Sequence, residues 1–184
     1  MFSKVYSAGL QGIDGYPVQV EADVGNGLPG FHMVGYLASE VREAEERVKT
    51  ALKNSGFSML PKKVTVNLSP ADVRKDGTAF DLPMAVAVLT AYGVGEPSVL
   101  EDSAFIGELG LDGRVKPVRG VLSLVTAMRD TGKNRCFLPK ENIPEGMAVG
   151  QIQILGIENM GQMIELLKNP NKIVSESLSC RSLL

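Results

Sequence analysis

The sequence contains no tryptophan, one histidine and two cysteines, and aromatic residues make up only 5% of its 184 positions. Each scarcity removes a class of function. Without many aromatics the core has to be aliphatic, and a base-stacking platform for single-stranded nucleic acid lacks its material. With His32 as the sole imidazole, most metal centres fall away, as does any Ser-His or Cys-His machine not built on that residue. Beside Phe31 and Met33, His32 reads as a packed strand residue. Cys136 and Cys180 stand far apart, the second in a polar tail. That is neither a disulfide framework nor a metal-ligand spacing, and it suits a reducing compartment. An excess of charge is also missing: 19 Lys and Arg against 21 Asp and Glu leave a formal net charge of -2. Nucleic-acid binding by bulk charge is thereby excluded, while a local basic patch is not. The longest apolar stretch, Leu82 to Val94, falls short of the ~20 residues that span a bilayer. Met1 to Tyr16 has no apolar signal core. The expectation is a cytoplasmic protein with no membrane partner.

What is present is a 44% hydrophobic, 22% charged chain, enough to build a core and too apolar for general disorder. Strands are expected over Lys4 to Ala8, Tyr16 to Val24, Phe31 to Val34 and Lys63 to Leu68, from β-prone runs and alternation of apolar and polar residues. Val41, Ala44, Val48, Ala51 and Leu52 recur at helical spacing, predicting one helix from Ser39 to Ser55, with Gly56 closing it. A second helix, near Asp81 to Tyr92, carries Pro83 in its first turn and is apolar all round, so it should be buried on most sides. Ser103 to Glu108 and Gly113 to Val118 read as a hairpin through Leu111-Asp112-Gly113. A helix over Val121 to Thr131, strands at Arg135 to Leu138 and Ile152 to Leu155, and a helix over Asn159 to Lys168 complete the pattern. Irregular alternation after an opening run of strands predicts a mixed α/β sheet with packed helices. The Ser-rich stretch 169–184 reads as a tail or linker.

Catalytic motifs are scarce too. The single Gly-Lys pair, Gly132-Lys133, lacks both the upstream glycine and the following Ser/Thr of a P-loop, and Gly132 reads as a helix end. The carboxylates Asp72, Asp76, Asp81, Glu108 and Asp112 fall at turns and element ends, where capping explains them. Lys62, Lys63, Arg74, Lys75, Arg114, Lys116 and Arg119 flank strand and loop ends and could meet at one edge of the sheet. A solvated rim accounts for them; contact with DNA phosphates or with acidic residues of a neighbouring domain is the alternative.

Four blocks together carry a resemblance. They are Asn26-Gly27-Leu28-Pro29-Gly30-Phe31 with Val34-Gly35; Glu46 to Phe57; Thr65-Val66-Asn67-Leu68-Ser69-Pro70-Ala71-Asp72 with Lys75 to Pro83; and Phe105 to Leu109 with Gly113 to Leu122. The chain resembles the N-terminal domain of magnesium-chelatase-like AAA+ ATPases of the ComM/YifB type, over most of residues 1–168. The resemblance implies a Lon-protease-like α/β (α+β) fold, as in GHMP kinases and some ribosomal proteins. It also implies a bacterial, ring-forming parent in which an ATPase module binds ATP and magnesium, linked in some members to DNA uptake and recombination. That module is expected to lie outside these 184 residues, with the stretch after Lys168 standing where the linker to it would begin. No cofactor, metal or catalytic residue is expected here.

Lon-type proteases use a Ser-Lys dyad. The run Lys75-Asp76-Gly77-Thr78-Ala79-Phe80-Asp81 puts Ala79 in the nucleophile's place, and Gly113 to Gly120 leads to Leu122 in the lysine's place. Neither side chain attacks a carbonyl or takes a proton, and Ser123 is one residue out of register, about 100° away on a helix. The expectation is a non-catalytic scaffold and assembly domain with a DNA-contact role. The alternatives are a stand-alone enzyme (a degenerate peptidase or a small-molecule kinase-like protein) and, on the family's name alone, a metal-tetrapyrrole role that one histidine and no cysteine pair disfavour.

Overall fold

Strand β1 (Phe2–Gln11) turns through Gly12 and Ile13 into β2 (Asp14–Gly25), and the two pair antiparallel along their whole length, from Phe2 opposite Asp23 to Gln11 opposite Asp14. This hairpin is the centre of the computed structural model, which describes residues 1–173. β3 (Gly30–Val34) and β4 (Lys63–Ser69) extend the sheet on the β2 side. β5 (Ser103–Phe105), β8 (Arg135–Pro139) and β9 (Gln153–Ile157) extend it on the β1 side. The order is β3-β4-β2-β1-β5-β8-β9, and every strand but β2 runs in the same direction. β6 (Glu108–Leu109) and β7 (Val115–Lys116) form a separate two-stranded ribbon.

Burial explains the two kinds of strand sequence. In β2, Val18, Val20, Ala22 and Val24 enter the core while the residues between them do not, and β4 alternates likewise through Val64, Val66 and Leu68. One covered face produces a period of two. β5, β8 and β9 are buried on both faces: Phe137 and Leu155 join the larger core, Cys136, Leu138 and Ile154 the smaller one. Past their first residues, Ser103, Arg135 and Gln153, their sequences are therefore continuous apolar runs.

The larger core is closed by α2 (Ala44–Asn54), α3 (Asp81–Ala91) and α7 (Met160–Lys168); the smaller by α5 (Val121–Asp130) and α6 (Ile143–Val149). Every residue of α3 is buried, as its all-apolar sequence requires. Ile173, five positions past α7, is also buried in the larger core.

Three expectations are corrected. The helix expected over 39–55 is two, α1 (Ser39–Arg42) and α2, parted at Glu43. Arg47 Nη2 donates to the Glu40 carbonyl at 2.7 Å, so a side chain takes the acceptor that Ala44 N–H would use in a continuous helix. Ser103 to Glu108 is not one strand of a hairpin. Ile106 N–H donates to Phe137 and Gly107 N–H to Ala79, which ends β5 in the main sheet and leaves only Glu108–Leu109 for the ribbon. His32 is exposed on β3, because that edge strand packs Phe31 and Met33 and turns Gly30, His32 and Val34 to solvent. The short α4 (Ser98–Glu101), α6 and a 3-10 turn at Lys140–Asn142 add to the expected helices. Cys180 and most of the 169–184 tail lie outside the described residues.

Candidate functional site

Strand β1 leads on to β2 on one side, whereas β5 leads through α5 to β8 on the other. Neighbouring strands whose connections depart in opposite directions leave a crevice at their carboxyl ends, where ligands of open α/β sheets bind. Here that crevice is a cavity of about 290 Å³, lined by Ala8 to Leu10 of β1, Asp76 to Phe80, Glu108, Pro117 to Arg119 and Leu124. Pro117 is shared with an adjoining groove bounded by Arg114, Lys116, Lys140 and Glu158.

The cavity floor is positioned by the start of α3. Asp81, 1% exposed in its side chain, receives Arg47 Nε at 2.7 Å and Nη2 at 3.1 Å, and the Leu109 N–H at 3.1 Å. Burial pushes the Asp81 carboxyl up, while Arg47 and the Leu109 N–H pull it down. The net effect is upward; the two-pronged contact with Arg47 opposes it and holds the guanidinium charged. This pair ties α2, α3 and β6 together directly behind the cavity. Thr78 Oγ1 donates to Glu108 at 2.7 Å across it. Gly77 N–H donates to Glu40 at 3.0 Å and holds that carboxyl below the usual range.

Ala79 lines the cavity, so a methyl group stands at the position aligned with a nucleophile. Leu122 does not line it. Leu122 is 54% exposed on α5 and borders a separate shallow depression with Ile13. Ser123 Oγ donates to the Ile13 carbonyl at 2.7 Å. No described side chain at these positions forms a nucleophile-base pair.

The basic residues do not all meet. Arg74, Arg114, Lys116 and Arg119 are exposed at the carboxyl end of the strands, whereas Lys62 and Lys63 are exposed at the opposite end, where β4 begins. Lys75 is on no surface. It is fully buried, and its Nζ has no hydrogen-bond partner among the described residues. Desolvation pushes its amine below the ordinary range against the attraction of Asp72. Its backbone is fixed between Tyr36 and Ala38: Lys75 N–H donates to Tyr36 C=O at 2.8 Å, and its C=O accepts from Ala38 N–H. Arg114 is 3.9 Å from Asp112, whereas Arg74, Lys116 and Arg119 form no ion pair among the described residues. Lys140, bonded to Glu158 at 2.6 Å, was not singled out in the sequence; its place directly after a buried strand was the available signal.

Asp72, Asp76 and Asp112 are exposed, and Asp112 accepts the Arg114 N–H at 3.0 Å in a turn. Cys136 is buried, with its thiol pushed up to about 12 by desolvation, which makes it inert at neutral pH. Among the described residues no helix is long and apolar enough to cross a membrane.

Residues 20–142 match the family described as subunit ChlI of magnesium chelatase. The competence protein ComM of Haemophilus influenzae is 34% identical over 169 residues, covering 92% of this chain and 33% of that protein. The YifB protein of Salmonella typhimurium is 41% identical over 141 residues, covering 77% of this chain and 28% of that protein. A Lon protease of Mycolicibacterium smegmatis is 28% identical over 142 residues, 74% of this chain and 18% of the protease. The chain thus spans about a third of the length of the ComM and YifB relatives it matches.

Proposed function

From the premise that this chain belongs to the magnesium-chelatase ChlI-like family, in a group with ComM and YifB, we propose that it is a non-catalytic scaffold and assembly domain of a cytoplasmic, ring-forming ATPase that works on DNA. ATP and magnesium act in the parent's ATPase module, this domain's intramolecular partner. The observation that carries the reading is the cavity floor: Ala79 is there and Leu122 is outside, so among the described residues the crevice holds neither member of a Ser-Lys dyad, and its one hydroxyl-carboxylate pair is Thr78 with Glu108. The DNA part rests on the exposed cations Arg74, Lys116 and Arg119, which form no ion pair among the described residues, with Arg114 beside them. Phosphate contact is the chemistry open to such side chains.

The test is an anisotropy titration of labelled duplex and single-stranded DNA with the purified chain between ~50 and ~200 mM salt. Binding that weakens with salt, and that is lost when Arg74, Arg114, Lys116 and Arg119 are changed to Glu, supports the DNA role. Salt-insensitive or absent binding removes it. Hydrolysis of casein by the chain removes the non-catalytic reading.

A further inference from the structure

The cavity wall formed by β1 is an unfinished sheet edge. Val24 N–H donates to the Met1 carbonyl at 3.1 Å, and the Met1 amino group donates back to the Val24 carbonyl. In an antiparallel ladder such exchanged pairs alternate. Ser3, Val5, Ser7, Gly9 and Gln11 therefore turn their backbone groups toward β2, and Lys4, Tyr6, Ala8 and Leu10 turn away from it. On that outer side β5 takes up Tyr6, which stands opposite Ala104. The chain then leaves β1: Ile106 N–H stays on the β8 side, at Phe137, and Gly107 N–H turns to Ala79 instead of β1. Among the described residues, the N–H and C=O of Leu10 have no hydrogen-bond partner. Across the cavity, the N–H groups of Ala79 and Phe80 have none either.

We propose that this cavity binds an extended polypeptide segment, which completes the β1 edge at Leu10 and is held without being cleaved. An unpaired main-chain donor and acceptor on a sheet edge recognise another main chain. A nucleic acid has no backbone N–H to return to the Leu10 carbonyl. Between the walls, Ala79, Val118 and Leu124 form an apolar floor that takes one small apolar side chain. Beyond Leu10, at the hairpin end, Ile13 and Leu122 are 86% and 54% exposed and border one depression. Leu10 packs against Gly120, two residues before Leu122, so closely that a Cβ at Gly120 would come 2.5 Å from its methyl. Floor and depression are thus joined through the Leu10–Gly120 contact. The occupant is thus an extended segment with one small apolar side chain for the floor and a further apolar residue for the depression. The inference goes beyond the assembly role and rests on Leu10, Ala79 and Leu122 rather than on the cations, so either can fail alone.

To test it, the 184-residue chain is panned against a phage-displayed random peptide library, and recovered peptides are titrated into ¹⁵N-labelled protein. Recovered peptides should share two apolar residues, and should shift the Leu10 amide and slow its otherwise fast exchange. Ala79→Phe, which fills the floor, and Leu122→Ser, which trims an exposed side chain without touching the core, should each weaken binding about tenfold. Leu122→Ser keeps the test decisive if Ala79→Phe fails to fold. The inference is overturned by an absence of enriched peptides, by peptides that leave Leu10 exchange unchanged, or by full affinity in Leu122→Ser. Protection of Leu10 by an oligodeoxynucleotide instead would assign the edge to nucleic acid and overturn it equally.

Discussion

An ammonium group buried without a hydrogen bond is an expensive feature, and Lys75 carries one. An unsatisfied buried polar group costs ~1–3 kcal/mol, more when charged, while the four-carbon stem of lysine packs much as methionine does. Lys75→Met should therefore stabilise the fold at neutral pH, by about 1–3 kcal/mol, measured as a higher urea midpoint at unchanged slope. The pH dependence has a definite sign. The folded-state pKa lies below the unfolded one, so the penalty on the wild type is full below the folded value and is relieved as pH rises toward the unfolded ~10.4. The advantage of Lys75→Met should accordingly shrink on the alkaline side; a constant advantage from pH 7 upward would mean that the amine is not desolvated. Ala79 and Leu122 support a second expectation. Restoring hydroxyl and amine by Ala79→Ser with Leu122→Lys should create no casein hydrolysis, because residue 122 borders the Ile13 depression rather than the cavity. Turnover by the double variant would show that a lysine there reaches the floor.

At the scale of elements, the close approach of the β1–β2 hairpin to α5 sets the shape of the cavity, and Gly15 permits it. A Cβ at Gly15 would stand 2.3 Å from the Ser123 carbonyl oxygen and 3.0 Å from the Ala127 methyl. The first of these is backbone and cannot step aside as a side-chain tip does. Gly15→Val should push the hairpin off α5 and cost about 1–3 kcal/mol, read by urea denaturation, and unchanged stability would mean that α5 slides freely over the hairpin. Elements whose sequence reports a single environment were legible: the alternating β2 and β4, the all-apolar α3, the amphipathic α5 and α7. Those decided by a distant partner were not. The expected helix over 39–55 breaks because the Arg47 side chain reaches back to Glu40, and β5 stops short because Gly107 N–H bonds to Ala79 instead of a neighbouring strand. The site shows the same division. Motif register alone placed Ala79 and set Leu122 apart as a lost partner, whereas the open edge at Leu10 depends on where β5 departs. The burial of Lys75 likewise follows from its loop bonding to Tyr36 and Ala38, which no local charge pattern announces.

For the molecule as a whole, the sheet separates its charges. Lys62 and Lys63 sit where β4 begins, and Arg74 lies in the loop that follows its end. A seven-residue strand holds the two groups ~20 Å or more apart. A chain with a net charge of -2 has no general attraction for DNA, so any contact has to be local and its salt dependence set by the few cations at that contact. If DNA meets the carboxyl-end face, Arg74, Arg114, Lys116 and Arg119 displace counterions and Lys62 and Lys63 do not. The slope of log K against log salt is then about -3.6 for duplex and about -2.8 for single strands at most. Lys62→Glu with Lys63→Glu should leave that slope unchanged, while Lys116→Glu with Arg119→Glu should roughly halve it. The reverse result would move the contact to the opposite end of the sheet, away from the cavity, and would separate DNA binding from the crevice altogether.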